Sequence, residues 1–466
     1  MERKCLSKLV EWKNNRLKPL MIYGPRQVGK TYLIKELFAE KYYKNKYIYV
    51  DCKKDVNFSD FINGVGENAS PIVDAVKIVE WLSIHLQRKI DENTLLIFDE
   101  VQEALPLVTA LKYFKQDCPK IPVIVSGSMV RIKIKRTQKY ANRYGREDFF
   151  YPVGAVQIIN LYPVTFEEFL MNHNIFLYRK IVECYKNKTP LDISIHGMAL
   201  EELYKYLLVG GMPENVQRFL NGDSFLSIRQ NIVSIATNYL NDMELYQASN
   251  ESIIRTKIIF NSIFSQLNKE SKNFRPSLVG KDLRYRDLMS PIDWLITSGI
   301  VYKSDQVKEK VTLPLMSIDD SNYRLYVLDT GILSYQSGID MTSFIDSSVK
   351  NELFGILFEN YVACELKANE IDLFFWKGKR ESEFEFLLED NHTIIPVDAK
   401  KGRKSLVSLE KFKEHNKFNY ALKVSSNNYG YDEERKILTI PLYMLFAYIN
   451  DIESKKKQFN LLGVYR

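Results

Sequence analysis

The chain has 466 residues, 45% of them hydrophobic and 26% charged, with a formal net charge of +7. Single cores stop growing at roughly 250–300 residues, so several domains are expected, and the composition excludes a disordered or low-complexity protein. No apolar run approaches the ~18 residues of a membrane span, and the first residues lead into an amphipathic helix rather than a secretory core, so a cytoplasmic protein without a membrane partner is expected.

Residues 19–165 read as strands alternating with helices, the pattern of a parallel sheet. Short runs at 20–23, 46–50, 95–98, 123–125 and 156–161 are rich in β-branched and aromatic residues. Continuous apolarity predicts strands buried on both faces. Helical stretches at 30–41 and 72–88 lie between them. From 166 to 246 the pattern is helical, broken at Gly210-Gly211-Met212-Pro213. An amphipathic helix at 251–267, a short helical cluster through Trp294 and strand-like runs at 300–302 and 324–328 follow. From about 350 a helix (352–368) precedes strand-like runs at 373–376, 383–388 and 394–400, a second α/β unit. The five cysteines and five histidines are scattered without metal-ligand spacing, so neither disulfides nor structural zinc are expected.

Gly24-Pro25-Arg26-Gln27-Val28-Gly29-Lys30-Thr31 is a complete phosphate-binding loop, with the strand before it and the helix after it that such a loop requires. Its glycines let the backbone curl so that N–H groups face a phosphate, and the helix adds its positive dipole end. Lys30 is expected to reach the β- and γ-phosphates of ATP, and the Thr31 hydroxyl to ligate Mg²⁺. The run 95–100 ends in Asp99-Glu100, two carboxylates at the carboxyl edge of the sheet, where ligands bind. Asp99 is expected to hold Mg²⁺ through water and Glu100 to act as the general base toward the attacking water. Ser126 and Ser128 end the next strand. Either hydroxyl could bond the γ-phosphate or the water, and Ser126 is preferred for its place at the strand end. The basic stretch Arg131, Lys133, Lys135, Arg136, Lys139, Arg143 and Arg146 leaves three readings open: an arginine for a neighbouring subunit's ATP, a grip on nucleic-acid phosphates, or a solvated face.

These motifs together resemble the prokaryotic AAA-type ATPases, archaeal-ATPase-like proteins that carry a C-terminal domain of unknown function. The resemblance extends through Tyr162–Phe169, Gly210–Pro213, Leu328-Asp329-Thr330-Gly331 and Phe358–Val362. It implies an α/β P-loop NTPase of the ASCE/AAA type over 1–165. It further implies a helical lid at 166–248, a winged-helix-like segment at 249–318 and a PD-(D/E)XK nuclease-like domain at 319–466. Gly154 is followed by Ala155 where many members have arginine, and Glu383-Phe384-Glu385-Phe386 stands where members have Glu-Val-Asp-Phe.

On the nuclease-like reading, Glu385 and the pair Asp398 and Lys400 converge on adjacent strands, with Glu359 completing a metal shell from the preceding helix. The competing reading is a surface ladder of cross-strand ion pairs. Three functions fit: an ATPase acting with DNA, a nucleotide-gated switch that recruits a protein partner, or an ATP-regulated metal-dependent nuclease.

Overall fold

The computed structural model describes residues 1–463 apart from 17, 67–69, 136–151, 153, 247–248, 319–320, 339–352, 380–381, 391–392 and 400–403. The chain divides into two compact units, one formed by 1–162 with 297–299, the other by 163–296 with 300–466.

The first unit is built on five parallel strands: β1 (Leu20–Tyr23), β2 (Tyr47–Asp51), β3 (Leu95–Asp99), β4 (Val123–Gly127) and β5 (Gln157–Asn160). Their order across the sheet is β2-β3-β4-β1-β5. The three inner strands β1, β3 and β4 are buried along their whole length, as their continuous apolarity predicts. The two outer strands are not. β5 turns Gln157 and Ile158 to solvent, and β2 is buried only at alternate residues. An edge strand has a neighbour on one side only, and apolar composition alone does not reveal which strand lies at the edge.

One face of the sheet packs on helices Val56–Asn63, Ala75–His85 and Pro106–Asp117, around a core that includes Phe58, Phe98, Leu111 and Phe114. Phe58 and Phe98 stack at 5.4 Å between ring centroids. The helix expected over 72–88 starts at Ala75, because Asp74 caps it by accepting from the backbone N–H groups of Val76 and Lys77.

The second unit begins with helices, as predicted, from Phe166–His173 through Asn250–Leu267. Helix Phe166–His173 carries a full capping box between Thr165 and Glu168. Strands β6 (Val301–Val307), β7 (Tyr323–Val327), β8 (Leu373–Lys377) and β9 (Glu383–Phe384) form one sheet in the order β7-β6-β8-β9. That sheet runs across the expected boundary at 318/319, with β6 antiparallel to β7 and parallel to β8. A second sheet takes β10 (Phe386–Asp390), β11 (Thr393–Asp398), β12 (Ala421–Ser425), β13 (Gly430–Asp432) and β14 (Ile437–Pro441), ordered β10-β11-β12-β14-β13. The single strand expected over 383–388 is therefore two, and the chain bends at Glu385 to pass from one sheet to the other. The hairpin expected between 385 and 398 is present as the antiparallel pair β10–β11.

The second unit's helices meet its strands at a tight backbone crossing. Asp329 caps helix Thr330–Ser337 through the Ile332 N–H at 3.0 Å and also accepts from the Gly211 N–H at 2.5 Å. Gly210 has φ +75°, and a Cβ there would lie 2.3 Å from Asp329 Oδ1. The two glycine-bearing motifs at 210–213 and 328–331 thus interlock around one buried carboxylate. Among the described residues, no helix is long and apolar enough to cross a membrane.

Candidate nucleotide site

The loop 24–31 connects β1 to a helix that begins at Lys30 and is wound in wide π turns over Leu33–Ala39. Gln27 and Gly29 hold positive φ angles, +63° and +88°, which curl the loop. Gly24 has no room for a side chain, since a Cβ would come within 2.4 Å of the Leu161 carbonyl oxygen. Lys30 is buried and donates to the carbonyls of Gly24 at 2.9 Å and Pro25 at 2.8 Å. Its ammonium therefore sits inside the loop's own curl. Burial lowers its pKa to about 8, against the opposing pull of Glu100 and Asp99. Arg3 braces the loop from outside, donating to the carbonyls of Val28 at 3.2 Å and Tyr162 at 2.7 Å.

Asp99 ends β3 and is 2% exposed. Thr31 donates to its Oδ2 at 2.5 Å, Ser126 to its Oδ1 at 2.5 Å and Tyr49 to its Oδ2 at 3.1 Å. The topology explains this meeting. β4 lies between the loop strand and the acid strand, so Ser126 at its end stands beside both. The structure thus brings Lys30, Thr31, Asp99 and Ser126 to one edge of the sheet. Ser126, however, spends its hydroxyl on Asp99, while the buried Ser128 hydroxyl has no hydrogen-bond partner among the described residues. An orphaned buried hydroxyl costs about 1–3 kcal/mol unless a ligand or water satisfies it.

Glu100 adopts a left-handed backbone, φ +52°, and its carboxylate accepts from the Gln102 side-chain amide. Gln102 is in turn packed against Gly127, where a Cβ would lie 2.3 Å from its Oε1. Tyr49, Gln102 and Arg3 were not legible as site residues. Tyr49 alone carries a signal, as one of the alternate, sheet-edge positions of a half-buried strand beside β3.

The described part of the basic stretch is engaged with protein groups. Arg131 donates to Asn160 at 2.7 Å and lies over the Tyr23 ring at 4.2 Å. Lys133 binds the Gln102 carbonyl at 2.7 Å and the Glu103 carboxylate at 3.0 Å, and Lys135 binds the Thr297 hydroxyl at 2.8 Å. Arg136, Lys139, Arg143 and Arg146 lie outside the described residues.

In the second unit, Glu359 and Glu385 are brought together, but around cations. Lys272 pairs with Glu359 and lies 3.9 Å from Glu385. Arg324, fully buried, reaches Glu359 at 3.3 Å and Glu383 at 2.7 Å, and the Tyr326 hydroxyl donates to Glu359 at 2.7 Å. The Ala399 N–H donates to Glu385 at 3.3 Å, and the β10–β11 register pairs Phe386 with Val397, so Glu385 and Asp398 each lie one residue beyond that pair. Lys400 lies outside the described residues, and among those described no group of three or more His, Cys, Asp or Glu is arranged to hold a metal ion.

Residues 16–170 match the family described as "AAA domain". Residues 200–343 and 354–443 match two domains of unknown function, DUF8612 and DUF4143. No curated protein sequence matches. Among solved structures, a Walker-type ATPase of Pyrococcus abyssi matches 72% of this chain and 95% of its own at 16% identity, with a TM-score of 0.41. A Signal Transduction ATPase with Numerous Domains from Pyrococcus horikoshii, bearing a tetratricopeptide-repeat sensor, matches at 14% identity with a TM-score of 0.23. The match covers 79% of this chain and 45% of that one. The five-stranded parallel sheet with its loop and acid strand is an α/β P-loop NTPase fold, and the stretch that carries it is the stretch that matches an AAA domain.

Proposed function

We propose that this chain binds ATP with Mg²⁺ at the 24–31 loop and hydrolyses it. The observation that carries this reading is the convergence of the Thr31, Ser126 and Tyr49 hydroxyls on Asp99, beside a lysine buried in the loop. The residues suit the group: a carboxylate and hydroxyls are the hard oxygen donors that Mg²⁺ prefers. Thr31 and Asp99 would hold the ion, Asp99 through water, and Mg²⁺ with ATP supplies charge neutralisation on the β- and γ-phosphates. Backbone N–H groups of Gly24, Arg26, Gln27, Val28 and Gly29 cradle the phosphates, Pro25 has no N–H to donate and fixes the turn between them, and Lys30 places its charge against the outer ones. Glu100 accepts a proton from the attacking water. Ser128, rather than Ser126, has the hydroxyl to spare for the γ-phosphate or that water.

The test compares nucleotide binding and phosphate release in wild type and Glu100→Gln. Retained binding with turnover lowered at least ~100-fold supports the assignment; full turnover by the variant removes Glu100 from the chemistry.

A nucleotide-gated switch that recruits a protein partner is a second reading, supported by the Gln102 amide on the Glu100 carboxylate, which keeps the base engaged. Coupling to a DNA-associated C-terminal domain remains a proposal that rests on the net charge and the resemblance. For the nuclease-like site we propose a structural role. Lys272 and Arg324 occupy the carboxylates that a metal would need, so Glu359, Glu383 and Glu385 serve as a buried ion-pair cluster.

A further inference from the structure

The edge of the first sheet opposite the nucleotide loop carries a cleft that no step above uses. Lys46 immediately precedes β2 and Glu92-Asn93 shortly precede β3, so the cleft lies at the amino ends of these parallel strands. The loop 24–31 and Asp99 lie at the carboxyl ends. Strands of this length separate the two edges by roughly 15 Å.

The cleft has a volume of about 370 Å³, and Lys13, Arg16, Lys46, Tyr42, Tyr43 and Glu92 are among its lining residues. Three cations therefore face one carboxylate. The cations come from two separate stretches of chain, the end of helix Cys5–Asn14 with the residues just after it and the turn after Glu40–Tyr42, and the carboxylate from a third, the turn before β3. A solvated basic face on one helix would not gather them in this way. Lys13 and Arg16 are half-buried. A concave wall of low dielectric concentrates the field of such charges and raises the local concentration of anions.

The aromatic members are rigid. The Tyr42 and Tyr43 rings pack on Phe38 at 5.5 and 5.8 Å, and Lys13 lies 5.6 Å from the centroid of Tyr43. Arg16 donates to the Lys120 carbonyl at 2.6 Å, which fixes its guanidinium at the cleft wall. Cations beside fixed aromatic faces form the pattern that binds a phosphodiester strand, with charge for the backbone and π-faces for the bases. We infer that this cleft is a binding site for a single strand of nucleic acid, distinct from the ATP loop and from the basic stretch after Met129.

The inference is tested on the full chain by fluorescence anisotropy of a labelled 20-mer of oligo-deoxythymidine, from 50 to 200 mM salt. Wild type is expected to bind with affinity falling steeply as salt rises. Lys13→Ala/Lys46→Ala is expected to weaken binding at least ~10-fold at 50 mM salt and to lower the salt slope by about 1.4, the counterions of two contacts. Lys77→Ala, an exposed lysine on helix Ala75–His85, is the control and should leave the affinity unchanged. Binding of a fluorescent ATP analogue, measured in parallel, should be the same in all three proteins, so a failed cleft and a failed nucleotide site give different results. Two results overturn the inference: equal oligonucleotide affinity in wild type and the double variant, or no oligonucleotide binding at 50 mM salt. Tripolyphosphate protecting Lys13 and Lys46 from acetylation where the oligonucleotide does not would also overturn it, in favour of a small-anion site.

Discussion

Asp329 gives the sharpest test of how the second unit is held together. Its carboxyl pKa is raised from 3.8 to about 6, first by burial, against the lowering effect of the Ile332, Gly211, Gly331 and Met212 backbone N–H groups. A displacement of about two pH units is worth about 3 kcal/mol between the two protonation states. The folded pKa lies above the unfolded one, so the folded state binds the extra proton. The associated stability is fully present below the unfolded value and is lost as pH rises through about 6. Between pH 7 and pH 5 the wild type should therefore gain about 1.3 kcal/mol from this group alone. Asp329→Asn cannot titrate and lacks that gain. It also turns an amide donor toward one of the backbone N–H groups, at a cost of about 1–3 kcal/mol. Urea unfolding of both proteins at several pH values isolates the term, because every other titrating group cancels in the difference. Stability–pH curves that run parallel from pH 7 to pH 5 would refute the reasoning. Faster hydrogen exchange at the Gly211 amide in the variant would locate the loss at the crossing between 210–213 and 328–331.

Two further outcomes are expected. Free Lys30 loses its proton as pH rises through about 8, so affinity for a fluorescent ATP analogue should fall between pH 7.5 and 9 in wild type, whereas Lys30→Ala should bind weakly at every pH; a flat wild-type profile would separate the lysine from phosphate binding. Lys272→Met should destabilise the protein by about 3–5 kcal/mol, because it leaves Arg324 as the one remaining cation beside the buried Glu359 and takes away the ammonium next to Glu385, and adding Glu359→Gln should restore part of the loss in denaturant unfolding.

The candidate site was legible because each of its parts is local in sequence. The loop, the acid strand and the serine strand each carry their polar residue at a strand end, and a parallel sheet puts all carboxyl ends on one edge. The partners that complete it were not legible. Tyr49 reaches Asp99 from a neighbouring strand, and the side-chain amide of Gln102 from the turn after Asp99. Neither residue type announces that use. In the second unit the strands of the 386–398 hairpin were readable from alternation and turn chemistry. Lys272 and Arg324 were not, because a lysine after a helix and an arginine in an apolar run look like surface residues until long-range pairing buries them. The same long-range pairing carries one sheet across 301–384, which no local pattern marks as continuous.

The bend at Glu385 bears on how this part of the chain tolerates length change. One residue separates β9 from β10, and each belongs to a different sheet. A deletion or insertion there cannot be absorbed by a loop. It would either slide β10 past β11 by one position, turning each side chain of β10 to the opposite face, or pull β9 off β8. Position 385 should therefore be a fixed point of chain length.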